Sequence, residues 1–344
     1  MENILYKKKD EIGFGLLAFS SFLILFVTAN EQSLWLDEVA TVSYSDPRLG
    51  FSYNEKPAQT PLIYILIFLS RVVFGSYEIA YRLPIIILSF TLILAIPLML
   101  KREGVDNIIV WIAPYLLLLS PKFIYYSQEV RSWMPMAACL ILWGTYRDTT
   151  GLKGWILCTI ALQSNFFAVV YVLTVVTVDW TYAWFKKAQF PEKPPIVALI
   201  THIPSIVILL YKNSLLQLHT SKEMGVNFGD IVSRFIHFDK TIGYLKKTFM
   251  FFFEGPTLFW IIMSIFSIVC LFWKTSSNKR FWVGIGLGVI ISAHALAVTD
   301  WHLESRYIIP ILPFVCIVPF LWRWPRKIIS LIVAIAFILG SSPN

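Results

Sequence analysis

Charged residues are scarce in this 344-residue chain. Asp, Glu, Lys and Arg make up 15% of it, whereas roughly 25% of the residues in a soluble domain are charged. The mean hydropathy is +0.68, and 57% of the residues are hydrophobic. This composition excludes an ordinary soluble domain and indicates a protein that crosses the membrane several times.

Cysteines are absent from the segments that connect the apolar runs. All four (Cys139, Cys158, Cys270 and Cys316) lie inside apolar runs, where neither a disulfide framework nor a metal cluster is expected. The net charge of +8 and the 13 tryptophans are explained by the basic loops and interfacial aromatic rings of a membrane protein. We therefore expect no nucleic-acid partner, and membrane lipids as the surroundings.

Apolar runs long enough to cross the bilayer recur along the chain, since a span needs about 20 apolar residues. We predict an all-α, polytopic transmembrane helix bundle. It has about eleven spans, near residues 12–30, 82–100, 106–120, 132–146, 154–166, 167–185, 195–211, 256–273, 281–298, 307–322 and 327–340. No cleavage site follows the first run, so we expect an uncleaved span. The basic residues of the short loops then fall on one side, which we assign to the cytoplasm.

Two long segments, 31–81 and 212–255, are predicted to be external. Within the first, residues 61–75 are apolar but short and interrupted by Arg71, which favours an interfacial or re-entrant helix over a span. No soluble domain is expected after residue 340. We therefore expect one integral membrane domain over 1–344, in the plasma (inner) membrane, with its active site facing outward.

The stretch 154–185 allows two interpretations. It is either one tilted helix or two short helices that meet at residues 163–165. One helix would place Lys186 outside, whereas two helices return it to the side that carries the other short basic loops. We favour two helices.

Ionisable residues are almost absent from the span centres, where an ion-coupled transporter needs them. Only His202 and His294 lie well inside spans, and Asp179 lies towards a cytoplasmic end. The polar residues gather instead at the external ends of five segments: Asp37, Glu38, Glu55, Lys56, Gln128, Glu129, Arg131, Asn165 and residues 299–307, which include His302, Arg306 and Tyr307. This distribution indicates a site at one face of the membrane.

The side chains at that face suit chemistry on a lipid phosphate. Asp37 and Glu38 are adjacent, so on a helix they point about 100° apart. One is the candidate base, and the other caps, pairs with a cation or holds the acceptor. Gln128 and Arg131 are three residues apart and are expected to share a helix face. The guanidinium groups of Arg131 and Arg306 can each bind a phosphate through two hydrogen bonds.

Four motifs in this order resemble a family. They are "WLDE", "TPLIYILIFLSRVVFG" followed by "YRLP", "YYSQEVRSW", and "SRYIIPILPF". Together they resemble the polytopic GT-C class glycosyltransferases that use polyprenyl-phosphate sugars, in the branch of the protein O-mannosyltransferases and aminoarabinose transferases. The resemblance extends from Trp35 to about Phe320.

The resemblance implies an inverting sugar transfer from a polyprenyl-phosphate donor on the non-cytoplasmic face. It implies that Asp37 acts as the base on the acceptor and that Glu55 and Lys56 of "NEKP" lie near the donor phosphate. Arg131 and Arg306 match family positions that line the site. We expect no obligatory metal and no other cofactor, because arginine and lysine can stabilise the departing phosphate.

Two departures from the family pattern leave the sugar and the acceptor open. The chain has Gln59-Thr60-Pro61-Leu62 where the family has a His-Pro-Pro-Leu run, and Asn165 where relatives commonly place a histidine. The acceptor is a protein, a glycan or a lipid.

Two other functions fit parts of the sequence. The chain is alternatively a non-catalytic protein that binds or flips lipid-linked sugars, or a structural subunit of an envelope-polymer assembly. A flippase needs polar groups through the whole bilayer, and the polar residues here gather at one face. The distribution favours the enzyme.

Overall fold

In the computed structural model the described part of the chain is helical. It covers residues 2–30, 34, 36–46, 61–105, 107–147, 152–165, 167–186 and 277–299, together with 200, 242–243 and 313. The helices are α1 (Glu2–Val27) with a 3-10 turn at Thr28–Asn30, α2 (Leu36–Tyr44), α3 (Pro61–Phe74), α4 (Glu78–Arg102), α5 (Asn107–Leu118), α6 (Pro121–Tyr126), α7 (Trp133–Tyr146), α8 (Leu152–Ser164), α9 (Ala168–Lys186) and α10 (Ser277–Thr299). The described ranges contain no strand, and the all-α prediction is confirmed.

Local sequence signals define several of these helix ends. α3 ends at Gly75, whose φ of 85° favours glycine, and whose N–H donates to the Arg71 carbonyl oxygen at 2.9 Å. α6 begins after Ser120, whose hydroxyl accepts a hydrogen bond from the Phe123 N–H, with Pro121 at the first helical position. These signals mark the end of α3 and the start of α6.

Three described helices are long and apolar enough to cross a membrane: Asp10–Val27, Glu78–Arg102 and Ala168–Lys186. Of these three, α4 packs against α1, α3, α5 and α7, so it lies at the centre of the described helices. It contains Pro84 and Pro97, which a membrane helix tolerates when neighbouring helices cover the freed backbone groups. The chain is an integral membrane protein with a helical bundle fold.

Seven of the eleven predicted spans coincide with described helices. The other four, 195–211, 256–273, 307–322 and 327–340, lie outside the described residues, apart from residues 200 and 313, and so does the segment 212–255 apart from residues 242–243. Residues 61–74 are helical as expected, and their position at the interface stays a prediction.

The two-helix interpretation of 154–185 is confirmed. α8 ends at Ser164 and α9 begins at Ala168. The two helices also pack against each other. Lys153, in the first turn of α8, lies over the ring of Tyr146, the last residue of α7. Asp179, in the second half of α9, bonds Arg147, which directly follows α7. The chain therefore reverses direction at Asn165.

α9 and α10 pack closely because glycines in α10 leave room for α9. A Cβ added at Gly284 would lie 2.4 Å from the Val175 Cα atom, and one at Gly288 would lie 2.6 Å from the Tyr171 ring. Such contacts are too short for any side chain. The contact between these two helices therefore depends on the glycines.

Candidate functional site

The segment between α6 and α7, residues 127–132, is an irregular, polar turn in the interior of the bundle. Its six residues, Ser127, Gln128, Glu129, Val130, Arg131 and Ser132, are each at most 7% exposed. Non-helical backbone in a membrane protein needs partners inside the protein. The partners come from the 3-10 turn after α1, from α2, from α4 and from the α8–α9 junction.

Glu38 of α2 holds the middle of this turn. The Val130 N–H donates to Glu38 Oε1 at 2.6 Å, and Glu38 is 1% exposed. An N–H group buried in the bundle needs such an acceptor, because an unsatisfied one costs about 1 to 3 kcal/mol. The carboxylate of Glu38, the residue after Asp37, therefore bonds a backbone group inside the protein.

Arg82, near the start of α4, joins the carboxylates to the turn. Its Nη1 donates to the Gln128 carbonyl oxygen at 2.8 Å, its Nη2 donates to Glu78 Oε1 at 2.9 Å, and Nη2 lies 3.9 Å from Glu38 Oε2. Arg82 is 1% exposed, so these partners, and not water, stabilise its positive charge. Arg82 is the arginine of the "YRLP" motif, and its place in the site is not among the residues predicted from the sequence.

Glu129 and Arg131 extend the cluster along the turn. Arg131 Nε lies 3.8 Å from Glu129 Oε1, and the Arg131 N–H donates to the Glu129 carbonyl oxygen at 2.7 Å. The Gln128 side-chain amide donates to the Thr28 hydroxyl. The prediction that Gln128 and Arg131 share a helix face is wrong, because residues 127–132 are not helical. Packing of the turn against Glu38 and Arg82 overrides the helical spacing of the sequence.

Asn165 fastens the α8–α9 junction to the same turn. Its amide nitrogen donates to the Ser132 hydroxyl at 2.7 Å, and its side-chain oxygen accepts from the Phe167 N–H at 2.9 Å. Asn165 is 0% exposed. It caps the start of α9 and positions the start of α7.

The structure thus brings Glu38, Gln128, Glu129, Arg131 and Asn165 to one end of the bundle. Asp37 lies in the first turn of α2, and its side chain lies outside the described residues. Glu55, Lys56, His302, Arg306 and Tyr307 also lie outside them.

No protein-family model and no curated protein sequence matches this chain. Among solved structures, the chain is similar to the crystal structure of ArnT from Cupriavidus metallidurans bound to undecaprenyl phosphate. The TM-score is 0.59 at 12% sequence identity, and the match covers 93% of this chain. The match covers 59% of that chain, so this chain spans a little over half of the ArnT structure.

The likeness to ArnT shows a shared fold. The resemblance to the GT-C class drawn from the sequence motifs is therefore confirmed at the level of fold. The roles of the individual residues, Asp37 above all, stay predictions.

The described residues hold no group of three or more His, Cys, Asp or Glu side chains that could bind a metal ion. Arg131 belongs to the buried turn, and Arg82 bonds the turn at the Gln128 carbonyl oxygen. Metal independence stays a prediction, since several candidate site residues lie outside the described part.

Proposed function

We propose that this chain is a glycosyltransferase of the GT-C class. It transfers a sugar from a polyprenyl-phosphate-linked donor to an acceptor on the non-cytoplasmic face of the membrane, with inversion at the anomeric carbon. Asp37 is the base, and Arg131, Arg306 and Lys56 bind the donor phosphate.

The observation that carries the proposal is the bond between α2 and the buried turn. Asp37 lies in α2, and the next residue, Glu38, accepts a hydrogen bond from Val130, the residue before Arg131. A candidate base and a candidate phosphate ligand are therefore carried by two segments that are bonded to each other, although 94 residues separate them in the sequence. An inverting transfer requires this combination, a base at the acceptor and positive charge at the leaving group.

The reaction balances with these groups alone. The acceptor oxygen attacks the anomeric carbon and gives its proton to Asp37, while the bond from that carbon to the phosphate oxygen breaks. The leaving group is a polyprenyl phosphate, whose added negative charge the guanidinium groups stabilise.

The fold supports a polyprenyl-phosphate donor. The ArnT structure that shares the fold of this chain holds undecaprenyl phosphate. We extend that ligand class to this chain because the sequence motifs independently resemble proteins that use such donors.

The distribution of charge along α4 favours an enzyme over a flippase. Residues 83–100 of this helix carry no charged side chain, whereas Arg82 lies at one end and Lys101 and Arg102 at the other. A flippase would need polar groups along the path of the headgroup, and this helix carries charged groups only at its ends, with Ser89 and Thr91 as the polar residues between them.

The proposal is tested by offering a panel of lipid-linked sugars to membranes that contain the full chain. We expect transfer of one sugar class with release of the polyprenyl phosphate. Movement of the intact lipid-linked sugar across the bilayer without release would instead support the flippase. Labelling of single cysteines at positions 187 and 222 tests the sidedness, since only position 222 should react from outside.

A further inference from the structure

Tyr146, at the end of α7, is contacted by two cations. The Lys153 ammonium is 4.1 Å from the centre of its ring, and the Arg102 guanidinium carbon is 5.4 Å from the same centre. Both cations are exposed. They come from α4 and α8, and Arg102 also donates to the Thr145 carbonyl oxygen. The fold thus holds two positive charges against one aromatic ring.

Arg102 and Lys153 both contact the Tyr146 ring, and Arg102 also bonds the Thr145 carbonyl oxygen. Within the described residues, neither Arg102 nor Lys153 forms an ion pair with a carboxylate. The adjacent cations behave differently: Lys101 Nζ lies 2.8 Å from Asp10 Oδ1, and Arg147 and Arg280 share Asp179, at 2.6 and 2.7 Å. A cation over an aromatic ring keeps its full charge. Arg102 and Lys153 therefore form a positively charged surface that can accept an anion.

The helix geometry places this surface at the level of lipid headgroups. Arg102 follows Arg82 by 20 residues in α4, which is about 30 Å along a helix axis. The hydrocarbon core of a bilayer is also about 30 Å thick. The two arginines therefore lie at opposite boundaries of the hydrocarbon, and Arg102 lies at the boundary away from the buried turn.

We propose that Arg102 and Lys153, which contact the same Tyr146 ring, bind the phosphate of an anionic phospholipid in the leaflet opposite the candidate active site. The guanidinium group binds two phosphate oxygens and the ammonium group adds a point charge. The Tyr146 ring lies at the depth where aromatic side chains meet headgroups. In the orientation predicted from the basic loops, this is the cytoplasmic leaflet, whose anionic lipids attract basic residues.

The test is the thermal unfolding of the full chain in lipid nanodiscs. The nanodiscs contain phosphatidylcholine alone or phosphatidylcholine with a rising fraction of phosphatidylglycerol. We expect phosphatidylglycerol to raise the unfolding midpoint in a saturable way. The double variant Arg102→Gln/Lys153→Gln should need roughly tenfold to thirtyfold more phosphatidylglycerol for the same shift, since each basic residue near an anionic surface adds a comparable increment.

Three further samples decide the outcome. The charge-preserving variant Arg102→Lys/Lys153→Arg should keep most of the shift. The control variant Arg71→Gln/Lys122→Gln removes the same amount of charge at the other end of the bundle. It should keep the whole shift in the unfolding midpoint. If the double glutamine variant unfolds during purification, the single Lys153→Gln variant is measured in its place and should lose part of the shift, since Arg102 but not Lys153 also bonds the Thr145 carbonyl oxygen.

The proposal is overturned if the variants at Arg102 and Lys153 respond to phosphatidylglycerol as the wild type does. It is also overturned if inorganic phosphate produces the same shift in phosphatidylcholine nanodiscs, because the surface would then bind a small anion and not a lipid.

Discussion

Glu38 and Val130 lie 92 residues apart in the chain, and the Val130 N–H donates to Glu38 Oε1 at 2.6 Å. This hydrogen bond fixes an irregular turn against the helix that carries the candidate base. Arg82 completes the arrangement, because it lies 3.9 Å from Glu38 and bonds the Gln128 carbonyl oxygen of the same turn.

Removal of the Glu38 carboxylate should destabilise the protein more than removal of the Glu78 carboxylate, which is more exposed and pairs with the same residue, Arg82. Glu38→Ala leaves Arg82 and the Val130 N–H buried with fewer partners, so we expect a loss of about 3 to 5 kcal/mol in the free energy of unfolding. Glu78 is 38% exposed, so water can partly replace its carboxylate beside the buried Arg82, and Glu78→Ala should cost about 1 to 2 kcal/mol. Thermal unfolding of the purified variants measures both. Equal effects would contradict the role assigned to Glu38.

Replacement of Arg131 by lysine should weaken donor binding. The lysine keeps the charge but loses the two parallel hydrogen bonds to phosphate, so we expect binding to fall by about tenfold to a hundredfold. Arg306→Lys should behave alike. Arg71→Lys is the matched control, since Arg71 bonds Asp46 at 3.2 Å in the first loop and has no proposed contact with the donor. Titration of the lipid-linked donor measures the affinity, and wild-type affinity in both site variants would refute the assignment.

Asp179 should be essential for stability at the other end of the bundle. It bonds Arg147 from α7 at 2.6 Å and Arg280 from α10 at 2.7 Å. Asp179→Asn removes the charge between two largely buried guanidinium groups, and we expect a loss of about 3 to 5 kcal/mol. Asp10→Asn breaks the more exposed pair with Lys101 and should cost about 0 to 1 kcal/mol. Unfolding midpoints that drop equally in the two variants would contradict this ranking.

Gly284 should not tolerate a side chain. A Cβ atom at this position would lie 2.4 Å from the backbone of α9, so α10 must move away from α9 in Gly284→Ala. We expect a loss of about 1 to 3 kcal/mol. At Gly15 of α1 an added Cβ meets nothing within 4 Å, and Gly15→Ala should be neutral or stabilising because alanine favours helix. Limited proteolysis and thermal unfolding distinguish the two, and a stable Gly284→Ala variant would show that the helices can separate at no cost.

The sequence predicts the helices well because membrane insertion imposes long apolar runs. The spans 82–100 and 167–185 coincide with α4 and α9 to within a few residues. The reversal near residue 165 is readable from the polar residues Gln163, Ser164 and Asn165, which interrupt an otherwise apolar stretch. The buried bond from Asn165 to Ser132 explains why the reversal occurs there.

Long-range polar contacts cannot be read from periodicity. Arg82 looks like an interfacial arginine at the start of a span, and its partner Gln128 lies 46 residues away. An ionisable residue in a membrane helix is costly and therefore needs a partner. This rule does not identify which residue the partner is. Gln128 and Arg131 are predicted to share a helix face for a related reason, since their spacing fits a helix and the tertiary partners of the turn at 127–132 do not appear in the local sequence.

The central claim is sugar transfer from a polyprenyl phosphate with Asp37 as base. The most direct measurement is the rate at which the purified chain releases labelled polyprenyl phosphate from its lipid-linked donor, with Asp37→Asn and Glu38→Gln assayed beside the wild type. We expect Asp37→Asn to lower the rate by about 10² to 10⁴ while donor binding persists, and Glu38→Gln to have a smaller effect. A wild-type rate in Asp37→Asn would contradict the account, and loss of activity in Glu38→Gln alone, with an unchanged unfolding midpoint, would assign the base to Glu38.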